Sequence, residues 1–169
     1  MKKKILCLAA AAALAASLTV PAWAAVASPY GGAEAEGGDA TYTTQAQTGE
    51  ESQATQVYET IQGAESTEQE LGLLGDGLAE TVQAELGATS VNEYSAREIG
   101  SVAVSGEGAT TVTLSNLAGV SAGTEGFVMY LGTDGLWHYL SVSFGNRTAT
   151  FTVPYSTTVI LYVRVAAAA

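Results

Sequence analysis

Reactive and cationic side chains are scarce in this chain. It has one cysteine, Cys7, one histidine, His138, and three lysines, all within residues 2–4. A structural zinc site needs several nitrogen or sulfur ligands, and catalysis by a cysteine or lysine nucleophile needs such a residue in the folded protein. We therefore expect no metal site and no cofactor.

The first 24 residues have the pattern of a secretory signal peptide. The lysines precede an apolar run over residues 5–20, Pro21 ends that run, and Ala22-Trp23-Ala24 offers small residues to signal peptidase. The apolar run, about 16 residues, is shorter than the roughly 20 that a membrane-spanning helix requires. We expect cleavage after Ala24 and a secreted protein, at most loosely associated with the cell surface.

Export would leave a strongly acidic chain without cysteine or lysine. Three arginines would remain against 17 acidic residues. Phosphate backbones and anionic membrane surfaces repel such a chain, so nucleic acid is excluded as a partner and the mature chain has no expected membrane span. Without disulfides, the fold has to rest on a packed core. The partner we expect is an unidentified protein or glycan.

Two segments precede the region with strand-like sequence. Residues 25–56 have almost no large aliphatic side chains, which predicts a flexible acidic low-complexity tether. Residues 57–96 form a predicted helical region, in which Thr67 and Glu70 have capping-box spacing and Gly87 is placed to end a helix. The apolar residues of its main stripe recur at steps of three and four: Leu71, Leu74, Leu78, Val82 and Leu86.

Residues 97–169 alternate between apolar and polar side chains, as β-strands do. Within two of the predicted strands, Ala149, Phe151 and Val153 should face the core, as should Val159, Leu161, Val163 and Val165. The predicted fold is mainly β: an antiparallel β-sandwich of about six or seven strands, preceded by a short helical region and a disordered tether. Six candidate strands cover residues 99–104, 110–114, 126–131, 136–144, 148–153 and 158–165.

Several of these strands share a pattern with a known kind of module. The stretches are Thr111-Val112-Thr113-Leu114-Ser115, Phe127-Val128-Met129-Tyr130, Asp134-Gly135-Leu136-Trp137 and Thr148-Ala149-Thr150-Phe151-Thr152-Val153. Over about residues 98–165 the chain resembles a small Ig-like β-sandwich module of secreted and surface proteins of Clostridia-like Gram-positive bacteria. The resemblance implies a noncatalytic role.

Catalytic groups are hard to find in the sequence. His138 lies inside a predicted strand, and no G-x-S-x-G nucleophile motif occurs. Most acidic residues belong to the predicted tether or helices, where a solvated face explains them. We expect no catalytic residues and no enzymatic activity.

Aromatic residues are the most suggestive surface feature of the predicted sheet. On one exposed face, Tyr130, Trp137, Tyr139 and Tyr155 could bind a sugar ring or a protein. Alternatively, these side chains close the core or cover a sheet edge.

The leading interpretation is a secreted, noncatalytic bacterial protein, a binding or structural surface module with an unidentified ligand. One alternative is a secreted hydrolase that uses carboxylates. Another is a surface or matrix protein that self-assembles by adding strands at a β-sheet edge.

Overall fold

A computed structural model describes residues 35–36 and 40–165 of the chain. The predicted signal peptide, Cys7 included, lies outside the described residues. Within them the protein is mainly β, with two antiparallel sheets and three helices. The helices are α1 (Gln53–Ile61), α2 (Thr67–Leu74) and α3 (Leu78–Leu86). The strands are β1 (Ala35–Glu36), β2 (Ala40–Thr44), β3 (Tyr94–Val104), β4 (Thr110–Leu114), β5 (Gly126–Leu131), β6 (Trp137–Ser141), β7 (Ser143–Gly145), β8 (Thr148–Val153) and β9 (Thr157–Arg164).

The chain passes between the two sheets at both of their ends. The five-stranded sheet has the order β2-β3-β9-β5-β6, and the four-stranded sheet has the order β1-β4-β8-β7. Only Val142 separates β6 from β7, and residues 37–39 separate β1 from β2. The consecutive strands β1 and β2 are therefore edge strands of the two sheets at one end, and β6 and β7 are edge strands at the other.

The five-stranded sheet is covered on both faces. Along β9, Ile160 and Tyr162 pack with the helices, whereas Val159, Leu161 and Val163 pack with side chains of the four-stranded sheet. We call the first group of buried residues the helix-side cluster: Ala54, Val57, Ile61, Leu71, Ala79, Val82, Val91, Tyr94, Ala96, Ile99, Phe127, Met129, Ile160 and Tyr162. The second group is the two-sheet cluster: Tyr42, Val102, Val112, Leu114, Leu117, Val120, Val128, Ala149, Phe151, Val153, Val159, Leu161 and Val163.

Most of the predicted strands are present. Those predicted over residues 110–114, 126–131 and 148–153 have the observed bounds. The strand predicted over residues 136–144 is divided at Val142, where the chain changes sheet. β3 begins at Tyr94, before the predicted start.

The predicted facing is confirmed in β8 and only in part in β9. Phe151 and its inward neighbours in β8 are buried, as predicted, and so are Val159, Leu161 and Val163 in β9. However, Ile160 and Tyr162, which the alternation leaves on the outer face of β9, are fully buried too, whereas Val165 is 49% exposed. The helices cover the face that the alternation alone assigned to solvent, so β9 is buried on both sides.

Part of the predicted tether is structured. β2 and the first half of α1 fall within residues 25–56, and Tyr42 and Ala54 are buried. β2 pairs with β3 along its whole length, which offsets the entropic cost of ordering a segment poor in aliphatic residues. Residues 25–34 and 37–39 of the predicted tether lie outside the described part of the chain.

The helical stripe belongs to two helices, and its predicted cap is shifted by one residue. Ser66 is the N-cap of α2, and its hydroxyl accepts a hydrogen bond from the amide of Gln69. Thr67 instead donates its hydroxyl hydrogen bond to the carbonyl of Tyr94, at 2.6 Å, and Glu70 is buried. Gly87 ends α3 in the left-handed conformation, as predicted.

Candidate functional site

The four aromatic residues proposed as a binding face lie on two faces of the sheet. Trp137 and Tyr139 are two residues apart in β6, so both side chains point toward the helix-side cluster. Tyr130 packs against the two-sheet cluster. The Tyr155 ring makes an edge contact with the Tyr130 ring, at a centroid distance of 6.2 Å. All four side chains are half-buried. The prediction of one shared aromatic face is therefore wrong.

Tyr130 belongs to a small polar and aromatic cluster at the β5–β6 hairpin. It pairs with His138 across the two strands, and their rings stack at a centroid distance of 5.2 Å. Nε2 of His138 lies 3.1 Å from both carboxylate oxygens of Asp134. The amide of Leu136 and the His138 ring together lower the pKa of Asp134. His138 thus contacts an acid and a phenol ring, neither of which is an acyl-transfer nucleophile.

Tyr155 has a structural contact of its own at the same hairpin. Its hydroxyl oxygen accepts a hydrogen bond from the amide of Thr133, at 3.0 Å. In the β5–β6 turn, the amide of Gly132 donates a hydrogen bond to the carbonyl of Leu136, and Gly135 has a positive φ of 79°. Tyr155 and the turn hold each other in place.

Tyr139 is part of the packing beneath the helices. Its ring stacks on Phe127 at a centroid distance of 6.1 Å, and Phe127 stacks in turn on Tyr162 at 4.6 Å. Burial, and to a lesser extent the nearby Glu85, raises the pKa of Tyr139. The geometry of Tyr139 fits the alternative interpretation, in which the side chain closes the core.

Trp137 packs against the helix-side cluster and also lines an open groove of about 300 Å³. The groove lies between the helices and the β5–β6 hairpin. Its lining carries no charged side chain, although the chain has 17 acidic residues. The lining residues are Gln53, Gln56, Val57, Thr60, Leu73, Leu74, Leu131, Gly135 and Trp137.

A second, larger depression is organised around an ion-pair network. It has a volume of about 520 Å³ and lies where α3 ends beside β5 and β7. The guanidinium of Arg164 pairs with the carboxylates of Glu93 and Glu125 at its wall. Because both carboxylates already neutralise this cation, the depression offers no unpaired charge from Arg164 to a ligand.

Glu98 and Tyr42 form a buried pair on the two-sheet side of the sheet. The Tyr42 hydroxyl donates a hydrogen bond to Oε1 of Glu98, at 3.1 Å. Burial raises the pKa of Glu98 to about 7, although Tyr42 and the neighbouring Arg97 act in the opposite direction. Sequence alternation does not reveal this burial, because a register shift between Ala96 and Glu98 turns Glu98 to the other face.

Glu70 and Tyr162 form a second buried pair, on the helix side. Glu70 is 2% exposed, and burial raises the pKa of its carboxyl to about 7. The two groups are neighbours, but neither Oε2 of Glu70 nor the Tyr162 hydroxyl has a hydrogen-bond partner among the described residues. The helical period does reveal this burial, since Glu70 lies four residues before Leu74 on the apolar stripe. Assigning Glu70 to a capping box concealed it.

Neither metal ligation nor a known relative identifies the site. Residues 35–36 and 40–165 contain no cluster of three or more histidine, cysteine or acidic side chains that could hold a metal ion. In that same part of the chain, none of the helices has the length and apolar character needed to cross a membrane. Comparisons with protein-family models, with curated proteins and with solved structures find no match to this chain.

Proposed function

We propose that this protein is a secreted, noncatalytic β-sandwich module that binds a neutral glycan in the groove beside Trp137. The observation that carries the proposal is the composition of the groove, an indole and aliphatic side chains facing neutral hydrogen-bonding groups. Gln53, Gln56 and Thr60 line it from α1, and all three are exposed.

The chemistry of the groove suits a hydroxyl-rich ligand without charge. Glutamine amides and a threonine hydroxyl both donate and accept hydrogen bonds, as sugar hydroxyls do. An indole offers a flat apolar surface to the C–H face of a sugar ring. A volume of about 300 Å³ is at the small end of ligand pockets and fits one or two sugar residues.

The sandwich architecture is part of the proposal. Side chains from both sheets share the two-sheet cluster, which is the packing expected of two sheets that face each other. The noncatalytic part is supported by the two buried carboxyls, because Glu70 and Glu98 lie on opposite faces of the five-stranded sheet. They cannot flank one glycosidic bond, as a hydrolase with two catalytic carboxylates requires.

A second candidate function, self-assembly, is favoured by the edge strand β6. It stands at the end of the five-stranded sheet, and its sequence, Trp137–Ser141, contains no acid, lysine or proline. Edges without such residues are able to pair with another strand. Light scattering over a concentration series separates the candidates, since strand addition requires a mass that grows with concentration.

The binding proposal is tested by titrating the purified protein with neutral oligosaccharides chosen from a glycan array. Gln53→Ala should weaken binding about three- to tenfold, the equivalent of one hydrogen bond, and Trp137→Ala should weaken it further. Gln62→Ala is the matched control, because Gln62 is an exposed glutamine just beyond α1 and outside the groove. Binding that both groove variants leave unchanged would place the ligand elsewhere, and the absence of binding to any neutral glycan would refute the proposal.

A further inference from the structure

A buried acid lies between the helices and the five-stranded sheet. Glu70 lies on α2, and the Tyr162 hydroxyl beside it comes from β9, the central strand of the sheet. Oε2 of Glu70 has no hydrogen-bond partner in the described part of the chain. Glu70 is therefore a carboxyl enclosed between two layers of the fold and incompletely satisfied.

Among the described residues, no cation acts on a charge at this position. Burial raises the pKa of Glu70, and the Tyr162 hydroxyl, the titratable neighbour on the sheet, acts in the opposite direction. Arg97 donates to the carbonyl of Ala118, and Arg164 is paired with Glu93 and Glu125. An ionised carboxylate at Glu70 would be buried without a counter-ion.

The other buried acid lies on the opposite face of the sheet. Glu98 accepts a hydrogen bond from Tyr42 of β2 and lies beside Arg97 of its own strand. Its ionisation therefore acts on the contact of β2 with β3, whereas that of Glu70 acts on the contact of α2 with β9.

We propose that Glu70 is a pH-dependent contact that holds the helices on the sheet when protonated and releases them when ionised. A neutral carboxyl can donate a hydrogen bond to the Tyr162 oxygen, whereas a carboxylate, even one that accepts from the Tyr162 hydroxyl, loses its hydration without gaining a cation. The helices would then open before the two sheets separate. This inference does not depend on glycan binding.

The direction of the pH dependence follows from the buried state of the carboxyl. Its pKa is about 7 in the folded protein and 4.5 in the reference state. Between these values the closed form keeps the proton that the open form has lost, so closure is fully favoured below about pH 4.5 and weakens as the pH rises toward 7. Above pH 7 the full cost of the charge applies.

Amide hydrogen exchange at pH 5 and pH 8, corrected for intrinsic exchange rates, measures the opening of α1, α2 and α3 directly. In the wild-type protein the opening equilibrium constant of these helices should rise on the order of a hundredfold from pH 5 to pH 8, while β4 and β8 keep the higher protection at both pH values. Glu70→Gln, which cannot ionise, should abolish the rise. Glu59→Gln, a control at an exposed acid of α1, should retain it.

Two outcomes of the exchange experiment would overturn the proposal. One is an equal pH response in the wild-type protein and in Glu70→Gln, and the other is no response of the helices in the wild-type protein. A carbon-13 titration of the Glu70 carboxyl needs no variant. A midpoint above pH 6 supports the proposal, whereas a midpoint at or below that value refutes it even if the helices respond to pH.

Discussion

At the scale of single residues, the absence of a side chain at Gly100 shapes the core around Glu98. The Tyr42 ring lies over Gly100, so that its hydroxyl reaches Glu98 two residues away on β3. A Cβ atom at residue 100 would lie 2.4 Å from the Tyr42 ring and 2.6 Å from the carbonyl oxygen of Thr43. The backbone neighbour cannot move without disturbing the pairing of β2 with β3.

Gly100→Ala should therefore lower the free energy of unfolding by about 1 to 3 kcal/mol, as overpacking does in well-packed cores. Gly72→Ala is the matched control, because Gly72 lies inside α2 and an added Cβ meets nothing within 4 Å. It should raise the free energy of unfolding by about 0.5 to 1 kcal/mol. Urea unfolding measures both, and a Gly100→Ala protein as stable as the wild type would contradict the close contact.

At the scale of secondary structure elements, the local pattern predicted β4, β5 and β8 at their observed bounds. Alternating side chains and turn residues are local signals. The bounds of these three strands follow the local signals alone. The β6–β7 break at Val142 and the helices over β9 depend on contacts between distant segments. No local pattern contains that information, so alternation predicts one buried face for β9, whereas the fold buries both.

The same distinction explains what could be predicted of the candidate site. Alternation places Trp137 and Tyr139 on one face, but only the register of β5 with β6 pairs Tyr130 with His138 on the other. The glutamines that share the groove with Trp137 come from α1, in a stretch partly assigned to a tether. The groove therefore could not be predicted without the tertiary fold.

The register of β8 can be tested at Phe151. Its side chain is 3% exposed and belongs to the two-sheet cluster. Phe151→Ala should lower the free energy of unfolding by about 3 to 5 kcal/mol, measured by urea unfolding. Thr152→Ala on the exposed face should change it by no more than about 0.5 kcal/mol. Similar values for the two variants would contradict the register that buries Phe151 and exposes Thr152.

At the scale of the whole molecule, buried acids on both faces of one sheet make stability depend on pH. Glu70 and Glu98 both have a pKa raised by burial to about 7. In each case the folded state holds a proton that the unfolded chain has lost between about pH 4.5 and 7. Stability from these two groups is therefore greatest near or below pH 4.5 and falls as the pH rises through 7.

The free energy of unfolding should be lower at pH 8 than at pH 5, by on the order of 2 to 3 kcal/mol for each of the two carboxyls. The double variant Glu70→Gln, Glu98→Gln should lose most of this difference. Urea unfolding at the two pH values measures it, and a wild-type protein that is more stable at pH 8 would reverse the assigned sign.

The order of strands also determines how the five-stranded sheet carries a pulling force. Ala40 pairs with Val104 at one end of β3, and Arg164 pairs with Tyr94 at the other, about 33 Å away for the 11 residues of β3. Tension applied between Ala40 and Arg164 runs along the strands and loads the hydrogen bonds of β2 with β3, and of β3 with β9, together. Extension along this line shears both rows of hydrogen bonds. The bonds of a row must therefore break together and cannot unzip one at a time.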